Sequence, residues 1–204
     1  MGDASSPLEW GVASRARVGE AMSGDEAVLV WLPDGALVAA VDGLGHGSAA
    51  AGAAAAAVEL VRQYAAEPLI SLIRRCHAAL RTTRGAAMSV AKFAFGDDTL
   101  TWIGVGNVEG RLVRPSDGAL RSEPLISTRG AVGVQLVPQL HPTTVSIEQG
   151  AMLLFATDGI APAFADSPPQ LGNAEEIAQR ILRDHARATD DALVVVARYR
   201  GKAQ

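Results

Sequence analysis

Four acidic positions in this chain share one grammar. Asp25 follows Ser23-Gly24 and precedes the apolar run from Ala27 to Leu32. Asp42 closes the run from Ala36 to Val41 and opens the loop Gly43-Leu44-Gly45-His46-Gly47. Asp158 closes Met152 to Thr157 and precedes Gly159. Asp190 and Asp191 precede Leu193-Val194-Val195-Val196. Each sits at the end of a strand-like run. Several strand ends gathered at one edge of a sheet sandwich would bring these carboxylates together. Clustered carboxylates repel one another unless they are protonated or bridged by cations. Hard divalent ions favour oxygen donors, so Mg²⁺ or Mn²⁺ suits such a set. Zinc does not, because the chain has no Cys/His ligand spacing. Two such ions about 4 Å apart would activate water and polarise a phosphoryl group. Any one of these aspartates alone reads as a turn or cap residue, and spacing alone does not prove that they converge.

The glycine loop after Asp42 admits a second chemistry. Glycines after a strand can cradle phosphates, and Gly43-Leu44-Gly45-His46-Gly47 superficially resembles the ATP loop of GHKL-type anti-sigma kinases. Those kinases place an Asn-bearing helix before the loop, whereas here a hairpin precedes it. The dinucleotide fingerprint fails as well, since Ser48 stands where a glycine is needed. A third reading is a non-catalytic binding module.

The elements that must position these residues follow from periodicity. Strands are predicted near Glu9 to Arg17, Ala27 to Leu32 and Ala36 to Val41, with Pro33-Asp34-Gly35 as the hairpin turn. Alanine-rich Ser48 to Ala65 reads as a helix that Ser48 could cap. A second helix runs from about Pro68 to Arg84, with Leu69, Leu72, Ile73, Cys76, Ala79 and Leu80 at helical spacing; Arg74, Arg75 and Arg81 lie mainly off that face. Further strands are expected at Ser89 to Phe95, Thr99 to Val105, Asn107 to Val113, Thr143 to Ile147, Ala151 to Ala156 and Ala192 to Tyr199. Asn173 is the expected cap of a helix ending at His185, with Glu175 and Glu176 in its first turn. Hairpin-type connections dominate over βαβ alternation. The expected class is therefore α+β, with mostly antiparallel sheets and helices outside.

Bulk properties set the bounds. At 204 residues the chain is read as a single domain, 1–204, with its core at about 10–199. A hydrophobic share of 49% and a charged share of 20% mark a globular chain. A net charge of −4 argues against a nucleic-acid partner. The only cysteine, Cys76, cannot form an intramolecular disulfide and reads as a small buried hydrophobe. Neither a signal peptide nor a membrane span is expected, so the location inferred is cytoplasmic.

In order and spacing, Ser23-Gly24-Asp25, Asp42 to Gly47, Thr157-Asp158-Gly159 and Asp190 to Val196 resemble the metal-binding motifs of PP2C-type serine/threonine phosphatases. The bacterial SpoIIE/RsbU/RsbX branch is the nearest. Within it, Gly104 to Glu109 and Arg129 to Gly133 look most like the short stressosome phosphatases. The resemblance spans about Trp10 to Tyr199. It implies an αββα β-sandwich and a phosphoprotein phosphatase that uses two divalent ions, Mn²⁺ or Mg²⁺. Asp42 would bridge the ions, the Gly43 carbonyl would ligate one, and Asp158 and Asp190 would bind the second. Asp25 would be a ligand or would orient metal-bound water. Asp191 stands where animal members usually have Asn. Those members carry His where this chain has Leu44; His46, displaced by two, is the candidate general acid. Their phosphate-anchoring Arg has no clear match, Arg15 and Arg17 being the nearest in sequence. The implied substrates are phospho-Ser/Thr groups on STAS-domain stressosome proteins (RsbS/RsbR-like) or anti-sigma-antagonist proteins.

Overall fold

The structure is a computed structural model that describes residues 6–116, 119–166 and 172–202. Among the described residues, ten strands form two antiparallel sheets. One carries β1 (Leu8–Arg15), β10 (Ala192–Tyr199), β9 (Met152–Ala156), β6 (Glu109–Ser116) and β7 (Ala119–Leu125) in that order. The other carries β2 (Asp25–Leu32), β3 (Gly35–Gly43), β4 (Ala86–Ala94), β5 (Thr99–Val105) and β8 (Thr143–Ser146). Helices α1 (Ser48–Tyr64) and α2 (Leu69–Ala79) cover the second sheet. Helix α3 (Ala174–His185) covers the first.

The four layers follow from side-chain alternation along the strands. In β3, Ala36, Val38 and Ala40 face the opposite sheet, where they meet Leu193, Val195 and Ala197 of β10. The intervening Leu37, Ala39 and Val41 face α1 and α2, against Val58, Val61, Leu72 and Ile73. In β10, Val194 and Val196 turn the other way, onto Ile177, Ala178 and Ile181 of α3. Both faces of these central strands are buried, which is why they read as continuous apolar runs.

The α+β class, the β2–β3 hairpin and the outer helices are as the sequence predicts. Four local readings are corrected. The N-cap of α1 is Gly47, with no side-chain cap, so Ser48 is already helical. The helix after Pro68 ends in a 3₁₀ turn at Leu80–Thr82; Arg84 lies in the turn before β4, and Ala79 is exposed. Strand β7 is an addition. Strand β2 begins at Asp25 rather than after it. Helix α3 starts on a full capping box, Asn173 accepting from the Glu176 amide at 2.9 Å and Glu176 accepting from the Asn173 amide at 3.0 Å. Among the described residues no helix is long and apolar enough to cross a membrane.

Candidate functional site

Antiparallel register brings the carboxylates to one end of the sandwich. Asp25 opens β2 and Asp42 stands next to the last residue of β3, and the two are direct partners across the hairpin. In the other sheet, Asp158 lies just beyond β9 and Asp190-Asp191 just before β10. The pairing of Val194 with Ala156 places both connections at the same edge. Two glycines allow the backbones to close up. A Cβ at Gly43 would run into the Ala50 carbonyl of α1, and one at Gly159 into the carbonyl of Asp191.

Hydrogen bonds then fix the acidic groups. The Thr157 hydroxyl donates to Asp25 Oδ2 at 2.7 Å and accepts from the Leu193 amide at 2.9 Å. Asn107 Nδ2 donates to Asp158 Oδ2 at 2.6 Å, and Arg187 Nη1 donates to the Asp158 carbonyl at 3.2 Å. Asp191 is buried and clasps the β1–β2 loop: Oδ1 accepts from the Arg17 amide and Oδ2 from the Gly24 amide, both at 2.8 Å. Asp190 Oδ1 accepts from the Asp191 amide at 3.0 Å. The Gly43 amide donates to the Gly24 carbonyl at 3.0 Å.

The electrostatics record the convergence. Burial pushes the Asp25 carboxyl up to about 7, against the lowering pull of the Thr157 bond and with added repulsion from Asp191, Asp158 and Asp190. Burial pushes Asp42 up to about 8, reinforced by Asp25, Asp158, Asp190 and Asp191. Asp158 is raised by burial and by Asp190, against the lowering effect of Asn107. Like charges held together in a poorly solvated place disfavour ionisation.

The expected carboxylates Asp25, Asp42, Asp158 and Asp190 therefore share one edge with Gly43. His46 does not point at them through any hydrogen bond; its Nδ1 pairs with Glu20 Oε1 at 2.8 Å on the exposed rim. Arg15 is exposed at the end of β1, and Arg17 enters through its backbone amide. Asn107, Glu20 and the bridging role of Thr157 were missed by sequence reasoning. Asn107 is expected as the first residue of a strand running to Val113; it instead precedes β6, and the sequence does not signal its partner.

The donor set fits a hard divalent cation: every group is an oxygen, and the mutual repulsion is of the kind a cation offsets. Among the described residues, as they are placed, no group of three His, Cys, Asp or Glu side chains stands close enough to hold a metal ion.

Residues 33–200 match the family described as Stage II sporulation protein E (SpoIIE). The chain is 31% identical over 180 residues to the phosphoserine phosphatase RsbX of Bacillus subtilis (strain 168), covering 87% of each. It superimposes on a chain solved in work on the bacterial stressosome as a system that controls secondary-messenger signalling. That match has TM-score 0.85 and 29% identity, and covers 94% of this chain and 99% of that one. A crystal structure of RsbX in complex with magnesium matches with TM-score 0.82 and 27% identity over 94% of each chain.

Proposed function

The chain belongs to the SpoIIE family of PP2C-type phosphatases, and from that membership we propose that it is a divalent-metal-dependent protein serine/threonine phosphatase of a stressosome pathway. The observation that carries this reading is the in-register pair Asp25 and Asp42, facing Asp158 and Asp190 from the other sheet.

Asp42, the Gly43 carbonyl, Asp158 and Asp190 would hold two divalent ions, Mn²⁺ or Mg²⁺, with Asp25 orienting the set. When bound, such ions supply Lewis acidity, lowering the pKa of water and offsetting phosphoryl charge. The chain's own groups do the rest. Thr157 holds Asp25, Asn107 holds Asp158, and Asp191 keeps the β1–β2 loop over the edge. Hydrolysis breaks the bond from phosphorus to the seryl oxygen, joins a water oxygen to phosphorus and needs a proton on the departing oxygen. With Nδ1–H held by Glu20, His46 would supply that proton from Nε2 only as the imidazolium, protonated on both ring nitrogens. A cysteinyl-phosphate route has no support, because Cys76 is buried in the core and its thiol is pushed up to about 12.

The substrate class we infer is phospho-Ser or phospho-Thr on a STAS-domain stressosome protein or an anti-sigma antagonist. Support comes from the likeness to a phosphoserine phosphatase and to a stressosome-derived structure. Phosphate release from phosphorylated STAS-domain proteins in Mn²⁺ or Mg²⁺ tests both levels. Release should vanish in excess chelator and in Asp42→Asn or Asp158→Asn. Full activity under any of these conditions overturns the mechanism. Equal rates on unrelated phosphopeptides overturn the substrate class.

A further inference from the structure

Arg84 belongs to no site that the acidic motifs define, yet the fold seats it on their central loop. Its turn is fixed from both sides. The Thr83 hydroxyl donates to the Leu80 carbonyl at 2.8 Å and accepts from the Gly85 amide at 3.0 Å. The Leu44 amide donates to the Gly85 carbonyl at 3.0 Å. Register places Ala86 opposite Gly43, so Arg84 stands two residues beyond the partner of the glycine that follows Asp42. Its guanidinium lies over Gly45: a Cβ added there would be 2.6 Å from Arg84 Nη1.

This guanidinium is exposed. Among the described residues it makes no ion pair and no hydrogen bond. It is not a built-in counter-ion for the acidic edge either. The charges that act on Asp42 are all carboxylates, and they drive it up rather than down. A positioned cation without an acceptor, beside a site read as handling phosphoryl groups, is itself a recognition element. Guanidinium presents paired N–H donors that match two phosphoryl oxygens, and it stays charged at any working pH.

We propose that Arg84 binds the non-reacting phosphoryl oxygens of the substrate and of the product phosphate, orienting the group over the carboxylate edge. This inference rests on the phosphatase reading above and adds a residue to it from outside the acidic motifs.

The test compares wild type, Arg84→Ala and Arg84→Lys in saturating Mn²⁺. Two quantities are read: KM for p-nitrophenyl phosphate, and the affinity for inorganic phosphate, taken from product inhibition and independently from calorimetry. Arg84→Ala should raise KM and weaken phosphate binding by roughly 10-fold or more, the scale of a lost charged hydrogen-bonding pair. Arg84→Lys should recover part of the loss. Mn²⁺ affinity and melting temperature should stay at wild-type values, because the side chain is exposed and off the acidic groups. Unchanged phosphate affinity in Arg84→Ala overturns the proposal. So does a loss that only follows a loss of Mn²⁺ binding. A wild-type protein that releases phosphate from no substrate would sink the phosphatase reading instead, and the calorimetric comparison would still decide on Arg84.

Discussion

The hydroxyl of Thr157, at the end of one sheet, donates a 2.7 Å hydrogen bond to the carboxylate of Asp25, at the start of the other. The same oxygen accepts the Leu193 amide of β10 at 2.9 Å. One side chain thus sets the spacing of two sheets at the point where their acidic ends meet.

Thr157→Val should remove both bonds while keeping the shape. Asp25 would lose its one lowering influence, and the Leu193 amide would be left buried without its hydroxyl acceptor. A loss of about 1–3 kcal/mol of stability is expected, together with weaker Mn²⁺ binding. Urea unfolding and a calorimetric Mn²⁺ titration would check both, with Thr157→Ser as the near-neutral comparison.

Stability without divalent ions should fall as pH rises. Asp25 and Asp42 have folded-state values near 7 and 8, raised from 3.8. Between pH 4 and 8 the native state therefore holds protons that the unfolded chain has released. The stability that these two groups contribute is then fully present below about 4 and is lost as pH rises to about 8. Melting temperature in chelator from pH 5 to 9 should show this decline. Asp42→Asn should flatten it, as should added Mn²⁺ or Mg²⁺.

Asp191→Ala should free the β1–β2 loop. The carboxylate accepts two backbone amides, and losing such charged bonds costs roughly 3 kcal/mol. Hydrogen exchange should accelerate at Arg17 and Gly24 and leave α2 unchanged. If protection at these two amides persists, the clasp is not what orders the loop.

Cys76 should resist iodoacetamide at pH 8 in the folded protein. Burial pushes its thiol up to about 12, so almost no thiolate is present. Mass spectrometry should find modification only once denaturant unfolds the chain.

Much of this was legible from the residues. Strands β3 and β10 are apolar on both faces, so their runs announce central strands. The capping box at Asn173 sets the start of α3 to the residue. Strand β7 was not legible: Arg121, Glu123 and Pro124 erase its alternation, as befits an edge strand that packs little. In the site, the acidic grammar was visible because strand ends and glycines are local signals. Asn107 meets Asp158 across 51 positions, and Glu20 meets His46 across 26. No local pattern encodes such pairs; only the sheet topology does. The helix cap at Ser48 failed for a related reason, because Gly47 is placed by the turn leaving β3 rather than by helix preference.

The pairing of β1 with β10 joins the first strand among the described residues to the last. Asp25 and Asp42 are therefore made early in synthesis, and Asp158, Asp190 and the Leu193 amide that seats Thr157 come late. A ribosome-bound chain whose residues 190–199 are still in the exit tunnel has made Asp25, Asp42 and Asp158 but lacks Asp190 and the strand that seats Thr157. Assembly of this edge is therefore completed in one step, when β10 slides in between β1 and β9.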